Sequence, residues 1–176
     1  MKKLSLIIIA SVFLGLTGQK LNAQELKFGH IDTETLIQAL PDYDTAVARL
    51  ERLSRTLTNE LELMQVELNN KFAAYQRDEG NLTDLVKQAR AQELDDQSRR
   101  LQEFQQSAQQ TFEGSRSEYF QPIMAKVEKA IKDVGRENGF IYIFIVGSGS
   151  GSSVVYFDEV KSVDIMPLAK AKLGVR

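Results

Sequence analysis

The sequence predicts an α+β fold: a long antiparallel helical hairpin inserted into a small β body. Three observations carry this. From Asp42 to Val134 the chain has no Cys or Trp, one Pro (Pro122) and two Gly (Gly80 and Gly114), and is dense in Glu, Gln, Leu, Arg and Ala, a helical composition. Its apolar residues recur at heptad-like steps of 3 and 4. Short β-branched and aromatic runs lie only outside that stretch, at its two flanks.

In chain order, Lys2-Lys3, the apolar run Leu4 to Leu16 and Leu21-Asn22-Ala23 read as a secretory signal peptide cut after Ala23. The competing reading is an uncleaved anchor, but the run falls short of the ~20 residues a span needs. Taking Lys2, Lys3 and Lys20 from the 22 basic residues leaves 19 against 24 acidic ones, a net charge of −5. That balance argues against nucleic acid as a partner. With no Cys in an exported chain, packing or assembly must supply stability.

Glu25 to Asp32 alternates into a first strand. Asp32 or Thr33 caps a short helix, Glu34 to Leu40, which Pro41 closes. Asp42 or Asp44 opens the long helix. Its seam runs through Val47, Leu50, Leu57, Leu61, Met64, Leu68 and Tyr75, with Ser54 and Lys71 as polar interruptions. Gly80-Asn81 marks a tip near residues 78–82, with Gly80 expected in a left-handed conformation. Asn81 or Thr83 then caps a second helix, whose seam is expected through Leu82, Leu85, Ala89, Leu94, Leu101, Phe104, Ala108, Phe112 and Tyr119. At 1.5 Å per residue the first arm reaches roughly 55 Å, more than a body of this size can bury, so the hairpin projects.

Gly114 and Pro122 are expected weak points in the second helix, with a kink at Pro122. The helix continues through Ile123, Val127, Ile131 and Val134 to a Gly139 stop. Phe140 to Val146 is apolar on both faces and reads as a central strand. Gly147 to Ser153 is a Gly/Ser loop, Val154 to Phe157 a third strand, and Val163 to Val175 ends in a short helix begun at Pro167. The chain thus divides into a signal (1–23), a body in two pieces (24–41 and 120–176) and an arm (42–119). So small a body, with strand edges to cover, points to oligomerisation through Phe28, Ile31, Ile141, Ile143, Ile145 and Val155. Leu53, Leu63 and Phe72, off the seam, and Leu94 are candidates for touching a client, and Gly80, Gly114 and Pro122 for letting the arm flex.

Candidates for chemistry are weaker. His30 is the only histidine, with no Cys to share a metal, and reads as structural. Asp95-Asp96 and Glu60/Glu62/Glu67 read as a solvated helix face. Arg99-Arg100 reads as surface. The Gly/Ser loop lacks the Gly-Lys-Ser/Thr ending of a phosphate loop and leads into a strand. No catalytic, metal or cofactor constellation emerges, and the chain does not read as an enzyme.

The whole mature chain resembles the Skp/OmpH family of periplasmic chaperones. The likeness rests on Phe28-Gly29-His30-Ile31-Asp32 with Leu40-Pro41, and on Gln121-Pro122-Ile123 followed by Lys126-Val127, Ala130-Ile131, Val134 and Gly139-Phe140. It continues in Val154-Val155-Tyr156, Val163-Asp164-Ile165 and Lys172-Leu173-Gly174. The resemblance implies a homotrimer of helical arms around a cavity. It also implies a periplasmic, ATP-independent holdase for unfolded outer-membrane proteins in a Gram-negative cell, working near the membrane. Two residue patterns depart from the family: Met166 where Thr is frequent, and arms with 13 basic and 17 acidic residues from Asp42 to Asp133 where the best-known members are strongly basic. The alternative reading is a structural coiled-coil spacer or scaffold of the cell envelope.

Overall fold

A computed structural model describes residues 26–147, Asp158 and residues 160–175. The expected signal peptide, the loop beyond Gly147 and the expected strand Val154–Phe157, with the candidate Val155, lie outside the described residues. The elements are β1 (Lys27–Asp32), α1 (Thr33–Gln38), α2 (Pro41–Asp78), a 3-10 turn (Glu79–Asn81), α3 (Asp84–Asn138), β2 (Phe140–Val146), β3 (Ser162–Asp164) and α4 (Met166–Leu173). The fold is mixed α+β, with two long helices and a small sheet.

Asp32 ends β1 and starts α1. Its Oδ1 accepts from the backbone N–H of Glu34 (3.0 Å) and Thr35 (3.1 Å), and its Oδ2 from the Thr35 hydroxyl (2.8 Å). Pro41 does not merely end α1; it is the first residue of α2. A proline suits that position because its missing N–H would have no helical partner there. Leu40 precedes it in an extended conformation, without a side-chain cap.

The two long helices run antiparallel. Asp42 at the base of α2 accepts from Lys126 (3.0 Å), Arg49 lies over the Tyr119 ring (5.7 Å), and Lys71 donates to Glu93 (2.9 Å). The tip corrects one expectation. Gly80 sits in the 3-10 turn, and positive φ occurs only at Gly139, Gly147 and Gly174 among the described glycines. A 3-10 turn closes the corner with ordinary φ, so the left-handed step is unnecessary. Thr83 is the N-cap of α3, without a side-chain cap bond. The helix then runs unbroken through Gly114 and Pro122 and stops at Gly139, whose φ of 70° is the left-handed cap expected.

The sheet has order β2-β1-β3, with both pairings parallel. Among the described residues β1 lies between the other two strands, and β2 pairs with β1; the expectation that Phe140–Val146 is central turns on Val154–Phe157, which lies outside the described residues. An apolar run reports that both faces avoid water, not which strand it pairs with. The strand β3 is new. Three residues, Ser-Val-Asp, are too short to show a period.

The core lies between the sheet, α1, α4 and the last third of α3. Ile31, Leu36, Leu40 and Ile165 are fully buried, joined by Ile123, Val127, Val134 and Ala169. Gly29 permits this packing. A Cβ there would lie 2.9 Å from Ile165 Cγ2 and 3.2 Å from the Phe140 ring.

Candidate functional site

Two surfaces follow from this architecture: the hairpin flanks and the exposed side chains of β2. On α2 the seam residues from Val47 to Tyr75 are half-buried against α3, apart from exposed Ser54. Of the four client candidates, Leu53 and Leu94 are half-buried, whereas Leu63 is 64% and Phe72 50% exposed. Leu94 lines a cavity of about 200 Å³ with Ala74, Tyr75, Leu82 and Val86. Its burial follows from spacing, since Leu94 and Leu101 lie seven residues apart and share a face. Leu63 and Phe72 are nine residues apart, two and a half turns, and so emerge on opposite flanks.

Leu85 corrects another expectation. Placed on the seam by its sequence neighbours, it is 79% exposed. Nine residues separate it from Leu94, which turns it to the far side of α3. Ala89 is exposed as well. Val66, Val86 and Met124 are exposed apolar residues that the sequence reading did not single out; testing each apolar residue by its angle from the seam would have found Val66.

In the body, Phe28 is half-buried and stacks on Tyr142 (6.3 Å) and Phe144 (6.4 Å). Ile31 is fully buried in this chain's own core, and half-buried Ile143 packs against it. Ile141, Tyr142 and Ile145 are exposed on β2. Gly114 is open, with nothing within 4 Å of a Cβ built there, as is Gly80. Pro122 lines a groove at the arm base with Asp42, Ala46, Arg49 and Tyr119.

Charges are arranged in pairs along the arm. Lys71, at its seam position, donates to Glu67 (3.1 Å) and Glu93 (2.9 Å), and Arg90 donates to the second oxygen of Glu93 (2.9 Å). These contacts hold both carboxyls below their ordinary range: for Glu67 the Lys71 bond acts first and a Gln97 bond second, for Glu93 Lys71 and then Arg90. The Lys71 ammonium is raised, by Glu93 and then Glu67. His30 Nδ1 lies 2.9 Å from Ser162 Oγ and ties β1 to β3. Asp96 is engaged by Arg99 (2.5 Å) and Gln92 (3.1 Å). Among the described residues no group of three or more His, Cys, Asp or Glu could hold a metal, and no helix is long and apolar enough to cross a membrane.

This arrangement of body and hairpin recurs elsewhere. The family model described as "Outer membrane protein (OmpH-like)" matches residues 27–173, the whole arm and nearly all of the body. The chain belongs to the OmpH/Skp-like family of periplasmic chaperones. A crystal structure described as a candidate outer membrane chaperone (OmpH-like) from Caulobacter crescentus shares the fold of this OmpH-like chain. Its TM-score is 0.69 at 14% identity, over 85% of this chain and 84% of that one. No curated protein matches.

Proposed function

We propose that this OmpH-like chain is an exported, ATP-independent holdase that keeps unfolded outer-membrane proteins soluble in the periplasm. The observation that carries the reading is the family match, which spans the arm as well as the body. In this reading three copies associate through their bodies and hold the client between their arms. Ile141, Tyr142 and Ile145 on β2 supply the contact between copies, because clustered exposed apolar side chains are a liability unless covered. Exposed Leu63 and Phe72, with Val66 and Leu85, supply weak apolar contacts to the client. Several such contacts at ~25 cal/mol per Å² hold an unfolded chain without a defined pocket.

The test is suppression of aggregation. Two unrelated outer-membrane barrels, unfolded in urea and diluted without ATP, are followed by light scattering at rising ratios of this protein. The reading predicts suppression of both at near-stoichiometric ratios, weakened by the double substitution Leu63→Ser, Phe72→Ser. Scattering unchanged for both barrels would transfer support to the spacer or scaffold reading.

A further inference from the structure

We propose that the distal end of the hairpin, residues 72–92, opens and closes as a unit of its own, bounded by the polar layer of Glu67, Lys71, Glu93 and Gln97. Burial changes across that layer. On its body side α3 carries buried Leu101 and Ala108, and α2 carries half-buried Leu57, Leu61, Met64 and Leu68. On its tip side no residue from Phe72 to Gln92 is buried, and the seam closes around the cavity lined by Tyr75, Leu82, Val86 and Leu94. Helical segments in a hairpin are coupled chiefly by continuous apolar burial, so a gap in it separates cooperative units.

The layer itself couples weakly. Lys71, Glu67 and Glu93 side chains are 39%, 58% and 40% exposed, so their ion pairs compete with water and are screened by salt. Beside them Gln97 Oε1 is buried and accepts no hydrogen bond, a cost of keeping the layer closed. The remaining charges around Lys71 are Arg90, Asp96 and Arg100 from α3 and Asp78 from α2, which line the two adjoining cavities. At the tip the chain adds no lock. Neither the 3-10 turn nor the start of α3 has a side-chain cap bond.

Amide hydrogen exchange on the full chain, read by mass spectrometry, tests this. Amides of residues 72–92 are expected to exchange at least about tenfold faster than those of residues 98–134, with a step at the layer and further acceleration at high salt. Lys71→Leu should restore apolar continuity and slow the distal set about tenfold, leaving the rest unchanged. Glu93→Gln keeps the volume, removes the charge and should speed the distal set alone. Simple fraying gives a smooth gradient of rates that ignores both substitutions, and that pattern would overturn the proposal. So would an unchanged distal rate in either variant.

Discussion

Asp32 and Gly29 show how single residues hold the body together, and how differently sequence reveals them. Asp32 was legible as a cap because it lies next to the helix it starts. The hydrogen bonds from Thr35 and then Glu34 keep its carboxyl below the ordinary 3.8. A depressed folded value stabilises above the unfolded value and loses that contribution as pH falls through the folded one. Asp32→Ala should therefore cost about 1 kcal/mol at neutral pH in urea unfolding, the difference shrinking below the ordinary carboxylate range. Gly29 was not legible, because its close neighbours Phe140 and Ile165 are more than a hundred residues away in sequence. Gly29→Ala should destabilise by about 1–3 kcal/mol through overpacking, measured by the same unfolding curves.

The long helices were the most legible elements, since composition and spacing repeat over many turns. Their details follow from angle rather than from order in the list of apolar residues. Leu85 looked like seam and is exposed, while Leu53 looked off-seam and is half-buried. Gly114 was read as a weak point, yet α3 passes through it in regular helix, and a Cβ there has open space. Gly114→Ala should accordingly raise the thermal midpoint, gaining about 0.5–1 kcal/mol from helix propensity alone. An unchanged or lower midpoint would mean that the assembled protein uses that open face. The tip was less legible, because Gly-Asn suits several turns and only the backbone decides among them.

For the whole molecule, the two-piece body and inserted hairpin were legible from where the short apolar runs stop and start. Strand order was not. Register and neighbours depend on contacts between distant segments, and β3 is only Ser162–Asp164. The structure also sharpens the test of assembly. Ile143 packs on this chain's own core, so charge there would disrupt the fold, whereas Ile145 is 58% exposed on β2. Ile145→Asp should leave the helical circular dichroism intact and reduce the solution mass to that of one copy. A wild-type mass for that variant would place the contact between copies elsewhere.

The central claim, an assembly that holds an unfolded barrel, is tested most directly by light-scattering mass. The mature protein is measured alone and after a urea-denatured outer-membrane barrel is diluted into it. The account predicts a trimer alone and one discrete soluble species of trimer plus client. A chain whose mass does not change while the barrel precipitates would contradict it.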